Sequence, residues 1–183
     1  MSEVATAKAG LIRLLRAAHA GERAAALAYA GHARSVRAVQ ERIDIARIGA
    51  EEVAHRARVG AMLNELGGAP SVLRELIFTG IGRTLSVFCH VTGWYCPMYG
   101  AGWIERRNLQ EYVDAAAFAA RAGRADLADE LLEMARIEWD HEQYFRAKVL
   151  SHPLRHLLRV WQEPPPRGQL GQPQPLAQAA DSC

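Results

Sequence analysis

The sequence predicts an all-α chain: a four-helix bundle with an extra apolar connecting helix and a short C-terminal helix. Three observations carry this. Apolar residues recur at helical spacing over most of the chain, no strand-like alternation stands out, and valine and isoleucine runs stay short. Helix-ending signals at Gly67-Gly68, Gly123 and Pro153 divide the chain into segments of bundle length. At 183 residues it suits one domain, placed at 1–162, with a tail at 163–183.

The first helix is expected over about residues 6–36, with Leu11, Leu15, Ala18, Tyr29 and Val36 on one stripe. The second covers about 38–66, carries Ile45, Ile48, Val59, Met62 and Leu66 inward, and stops at Gly67-Gly68 before Pro70. A less regular apolar stretch, Ser71 to Gly93, follows as the connector. The third bundle helix runs from about Pro97 to Ala122 and ends at Gly123. The fourth starts near Asp126 and ends before His152-Pro153. The short amphipathic piece LRHLLRVW comes next, and the remaining Pro/Gln-rich residues read as a disordered tail.

Half the residues are apolar and 23% are charged, the profile of a soluble globular chain. Formal net charge is only +2, and acids and bases alternate without a basic block, which argues against nucleic acid as a partner. Cys89, Cys96 and Cys183 are odd in number and form no CxxC, so neither a disulfide framework nor a thiolate zinc site is indicated, and a reducing compartment is expected. Cys89, His90 and Cys96 match no standard metal spacing and read as packing residues. The first residues, MSEVATAKAGLIRLLR, lack the apolar core of a signal peptide.

The tetrapeptide Glu-x-x-His occurs twice, as Glu52-Val53-Ala54-His55 and Glu138-Trp139-Asp140-His141. With 14 Glu and 7 His in the chain, chance supplies about half a match, so register decides the matter. Glu52 lies four after Ile48, and His55 four before Val59; Glu138 lies four after Met134, and His141 four before Phe145. Both pairs fall on the apolar face. Two more carboxylates do the same. Leu15, Glu22, Tyr29 and Val36 are seven apart, as are Met98, Glu105 and Tyr112. Glu111 competes with Glu105 but lies off that stripe. Glu51, Glu111, Glu133, Asp140 and Glu142 read as solvated or boundary positions.

A single inward Glu or His is more often a paired core residue than a ligand. Four unpaired buried carboxylates, however, would cost several kcal/mol each and repel one another. Two divalent ions carry +4 and balance them, and oxygen and imidazole donors without sulfur suit iron or manganese. Glu, Glu-x-x-His, Glu, Glu-x-x-His on four helices is the donor set of ferritin-like di-iron and di-manganese carboxylate bundles.

The stretch HAGERAAALAYAGH, His19 to His32, resembles the first-helix signature of the demethoxyubiquinone hydroxylase family, in which His-Ala-Gly-Glu leads into Tyr-x-Gly, here Tyr29-Ala30-Gly31. The similarity runs over about residues 11–160. It implies Glu22, Glu52, His55, Glu105, Glu138 and His141 as ligands of two Fe ions, and it singles out Tyr112 as the catalytic candidate. It further implies a di-iron monooxygenase that hydroxylates a demethoxy quinone in ubiquinone biosynthesis, using O2 and an external reductant. The implied partners are the quinone, O2, a membrane surface, and a second copy or another protein of a biosynthetic complex. The implied location is cytoplasmic and peripheral on the inner membrane. The chain departs from the family at Glu111, where His is usual, at Ile137, where an acid is usual, and at the basic pair Arg106-Arg107. Two other readings keep part of the pattern: an iron-handling or peroxide-reducing ferritin-like protein, and a metal-free helical interaction protein.

From Leu76 to Ile104, Arg83 and His90 are the only charged or titrating groups besides cysteine and tyrosine. Length alone allows a membrane span, but six Gly or Pro residues interrupt it. The stretch is expected either to pack on the bundle as a buried connector or to lie on a membrane surface, where Trp94, Tyr95, Tyr99 and Trp103 would suit the interface.

Overall fold

The computed structural model describes residues 2–172. Five helices make up most of it: α1 (Glu3–Ser35), α2 (Val39–Glu65), α3 (Val72–Val91), α4 (Tyr95–Arg121) and α5 (Ala125–Ser151). No strand occurs among the described residues. The architecture is a helical bundle, as the periodicity predicts, consistent with the ferritin-like arrangement that the donor set implies. Helices α1 and α2 form one hairpin, α4 and α5 form the other, and α3 is the crossover between them.

The ends of α2 and α4 follow one physical rule. Gly67 and Gly123 take left-handed φ values of 71° and 76°. In each case the two following backbone N–H groups return to free helical carbonyls: Gly67 to Asn64 and Gly68 to Leu63, Gly123 to Ala120 and Arg124 to Ala119. This closure needs a residue without a Cβ penalty at the left-handed position. It turns each chain sharply enough for the next helix to begin within a few residues.

The crossover α3 lies along α1 at backbone distance. A Cβ on Gly82 would stand 2.6 Å from the Ala24 carbonyl oxygen, and one on Gly31 would stand 2.6 Å from the Ser86 backbone. Gly82 is the one buried residue of α3. Most of its large apolar side chains face outward: Val72, Leu73, Leu76, Ile77, Val87, Phe88 and Val91 are each more than half exposed. The buried-connector expectation therefore fails for most of α3. No helix among the described residues is long and apolar enough to cross a membrane.

The core has two apolar blocks. One gathers Leu11, Leu15, Val59, Met62, Leu63, Leu131 and Met134. The other gathers Tyr29, Val36, Ile45, Ile48, Met98, Phe145 and Val149. On every bundle helix the six predicted ligand positions fall in sequence between residues of these two blocks.

Beyond α5 the expected short helix is a single 3-10 turn, Pro153–His156. Pro153 ends α5, and the chain then extends so that Trp161 can reach inward. Its indole donates to the Glu142 carboxylate at 2.6 Å, and its ring fills the space left by Gly102, where a Cβ would stand 2.5 Å away. Glu142 is consequently fully buried rather than solvated, contrary to the sequence reading. Burial raises its carboxyl above the usual range, although Trp161 and Arg146 oppose the rise.

The segment expected to be disordered from residue 163 is held against α5 at its start. The Trp139 indole donates to the Pro165 carbonyl at 2.9 Å, Arg167 pairs with Asp140, and Leu170 is buried. Residues 173–183 of that predicted tail, Cys183 included, lie outside the described residues.

Candidate metal centre

All six predicted ligands meet in the bundle interior. Glu22, Glu52, His55, Glu105, Glu138 and His141 are each at most 3% exposed. They form two overlapping groups: Glu22, Glu52, His55 and Glu138, and then Glu52, Glu105, Glu138 and His141. Within each group the donor atoms lie within 4.8 Å of one another. Glu52 and Glu138 belong to both groups and therefore stand between the two positions, while Glu22 and Glu105 are terminal.

The contacts within this layer are close but unsatisfied. His55 Nδ1 lies 2.9 Å from Glu138 Oε1, and His141 Nδ1 lies 3.1 Å from Glu52 Oε1. Yet these ring nitrogens, both oxygens of Glu52 and Glu138, and Glu22 Oε2 lack any partner in hydrogen-bond geometry. Buried polar atoms almost always have a partner. A set of orphaned donors whose lone pairs converge on shared points is what a pair of cations satisfies. The donors are oxygen and imidazole nitrogen, with no sulfur among them, which suits iron or manganese.

The electrostatics agree. Burial, then the charges of Glu52 and Glu138, push the Glu22 carboxyl well above its ordinary range. Burial, then the charge of Glu138, does the same to Glu105. Burial also pushes Glu138 upward, but its contacts with Glu105, His141 and His55 outweigh this and hold it below the usual carboxylate range. For His141, burial favours the neutral ring, but Glu138 and Glu52 overcome it and push the pKa up to about 12. Without metal, the layer compensates its carboxylates by retaining protons. Divalent ions would displace those protons.

A second ring of residues holds the carboxylates. The Tyr29 hydroxyl donates to Glu105, and the Tyr112 hydroxyl donates to Glu22. Asn108 donates to the other oxygen of Glu105 at 3.4 Å. Tyr112, the predicted catalytic candidate, is thus fully buried against Glu22. Burial, then the charge of Glu22, pushes its phenol well above the ordinary value.

Glu111 is not a ligand candidate in the fold: its carboxylate is half exposed and pairs with Arg107 at 3.5 Å. Glu51, expected at a solvated or boundary position, is partly buried at the boundary and accepts from His141 Nε2 at 2.6 Å. Tyr29 had a sequence signal, since it follows Glu22 by seven on the same stripe. Asn108 follows Glu105 by three. Glu51 had none, because its contact is with another helix.

Beside the centre, a cavity of about 570 Å³ opens between α1, α3 and α4. Tyr29, His32, Ala101, Ile104 and Asn108 line its inner part; Ile81, Phe88 and Trp103, all substantially exposed, line it as well. Cys89 and Cys96, read as packing residues, also line it as free thiols. Burial lowers His32 to about 4, so its ring is neutral at physiological pH.

A family model described as "Ubiquinone biosynthesis protein COQ7" matches residues 9–107. Neither a curated protein nor a solved structure matches the chain significantly. The matched region spans α1 to the first half of α4 and contains Glu22, Glu52, His55 and Glu105; Glu138 and His141 of α5 complete the same donor layer beyond it. The chain belongs to the COQ7 family of ubiquinone biosynthesis proteins.

Proposed function

We propose that this protein is a di-iron monooxygenase that hydroxylates a demethoxy quinone at a membrane surface, using O2 and an external reductant. The observation that carries the reading is the pairing of the six-residue donor layer with the adjoining apolar cavity. Tyr29 and Asn108 line that cavity and also hydrogen-bond Glu105. A ring bound there would lie one residue away from the metal ligands.

Two iron ions held by Glu22, Glu52, His55, Glu105, Glu138 and His141 would supply the electrons that activate O2. The chain's own side chains do the rest. Tyr29 and Tyr112 hold the terminal carboxylates in place, which makes Tyr112 a positioning residue in this account. The apolar lining excludes water from the reacting ring. Neutral His32 and Asn108 offer polar contacts in an otherwise apolar space.

The membrane part of the proposal rests on α3. Its outward side chains form an apolar surface of the kind that marks an interaction site. Phe88 and Ile81 belong both to that surface and to the cavity lining. A quinone with a long apolar tail could therefore pass from a bilayer to the cavity without crossing water. Peripheral attachment to a membrane follows from this reading, and the cytoplasmic face of the inner membrane is the place that the family resemblance implies.

The test is reconstitution. Purified chain loaded with ferrous iron is mixed with liposomes containing a demethoxy quinone, O2 and a chemical reductant, and the product is identified by mass spectrometry. The hydroxylated quinone should form with the wild type and not with Glu138→Ala. Loaded wild-type protein that binds the liposomes but leaves the quinone unchanged would remove the assignment.

A further inference from the structure

The two candidate metal positions have the same donors in kind: three carboxylates and one histidine each. Each terminal carboxylate also receives one tyrosine hydroxyl, Tyr112 on Glu22 and Tyr29 on Glu105. The histidines differ. His141 turns Nδ1 toward Glu52 and Glu138 and has Nε2 on Glu51 at 2.6 Å. Glu51 is itself fixed by Arg47, whose Nη1 reaches its two oxygens at 2.8 and 2.9 Å. His55 has no such support. Its Nδ1 faces Glu138 and its Nε2 is buried without a partner, with the Tyr112 ring edge-on 5.8 Å away.

A carboxylate on the outer nitrogen of a ligating imidazole fixes the tautomer, fixes the ring orientation and raises the basicity of the inner nitrogen. One position has this device and the other lacks it. We propose that Glu51 makes the two metal positions unequal, so that the position built from Glu52, Glu105, Glu138 and His141 takes a divalent ion first. Loss of such an outer partner costs about 10–100-fold in affinity, which sets the expected separation. Asn108 on Glu105 acts on the same position, but at 3.4 Å it is the weaker contact. The inference rests on the dimetal reading above and adds an order of filling to it.

The experiment titrates the metal-free chain with Mn(II) alone and reads free Mn(II) by electron paramagnetic resonance. Wild-type protein should show two binding classes of one ion each, separated about 10–100-fold. Glu51→Ala should weaken the tight class by that factor, leave the weak class unchanged and keep two ions per chain. Glu51→Gln, which retains an acceptor for His141, should fall between the two. Circular dichroism melts of the metal-free variants check folding, and Glu51→Gln carries the test if Glu51→Ala does not fold. In crystals soaked with one equivalent of Mn(II), anomalous scattering should place the ion beside His141. Two equal classes in the wild type, an unchanged tight class in Glu51→Ala, or a first ion beside His55 would overturn the proposal while leaving the dimetal reading intact. Wild-type protein that binds no Mn(II) would overturn both.

Discussion

Replacing Glu22 by Gln should stabilise the metal-free protein and destabilise the metal-bound one. Glu22 is buried, one of its oxygens has no partner, and the nearby Glu52 has two unpartnered oxygens. Burial and the charges of Glu52 and Glu138 already make its ionisation unfavourable. Glutamine keeps the shape. Its oxygen still accepts from Tyr112, and its amide N–H can donate to Glu52. Holding a carboxyl protonated in the fold at pH 8 costs about 1.4 kcal/mol for each unit by which its pKa is raised, and an amide carries no such cost. Taking about 2 kcal/mol, and about 2–4 °C per kcal/mol for a chain of this size, the Tm of metal-free Glu22→Gln should rise by about 4–8 °C at pH 8. The effect of metal should run the other way. Saturation at 100 times Kd adds about 2.7 kcal/mol to the folded state. Each tenfold loss of affinity from the missing carboxylate removes about 1.4 kcal/mol of that. Thermal melts with and without Mn(II) read both effects. A variant whose metal-free Tm falls, or whose gain on adding metal equals the wild type's, would refute the view that this layer is strained without cations.

The stability of the metal-free chain should depend on pH in a defined direction. Glu22, Glu105 and His141 all have folded pKa values raised above their unfolded ones. Their stabilisation is full below the unfolded values and is lost as pH rises toward the folded ones. His32 is lowered to about 4 and acts oppositely, but its effect is complete above its unfolded value. Between about pH 7 and 9 the metal-free Tm should fall, and the gain on adding metal should grow; differential scanning calorimetry would show a flat profile if the groups were not strained. Trp161→Ala should cost about 3–5 kcal/mol, because it empties the space beside Gly102 and removes the indole donor from buried Glu142. Urea unfolding measures it, and a loss below about 1 kcal/mol would mean the C-terminal segment is not seated. Gly82→Val should destabilise by about 1–3 kcal/mol or more, since its Cβ meets the Ala24 carbonyl; an unchanged Tm would show that α3 does not lie at backbone distance from α1.

The helices and the donor layer were legible because both are written in local spacing. Glu22, Glu52, Glu105 and Glu138 each continue an apolar stripe on their own helix, so no knowledge of the partner helices was needed. The burial of Glu142 and the contact of Glu51 with His141 are not legible in the sequence, for the opposite reason. Each adjoins a candidate ligand but sits about 100° around the helix, where only the neighbouring element decides its environment. For Glu51 that element is α5, through His141; for Glu142 it is the segment carrying Trp161. The expected helix at LRHLLRVW has amphipathic spacing, but Pro153 and the inward pull of Trp161 leave one 3-10 turn. In α3 the apolar content was plain and its direction was not. Gly82 and Gly31 set the close approach to α1, and that approach turns most of the large side chains outward. The family match reaches only residue 107, so the α5 half of the layer is assigned by register and geometry.

Six buried side chains on four helices are proposed to hold two metal ions. Purified chain is loaded anaerobically with ferrous iron, desalted and analysed for iron by mass spectrometry, alongside Glu52→Ala and Glu138→Ala. The wild-type chain should hold two irons and both variants should lose most of that metal, since Glu52 and Glu138 belong to both donor groups. Full iron content in both variants would contradict that proposal.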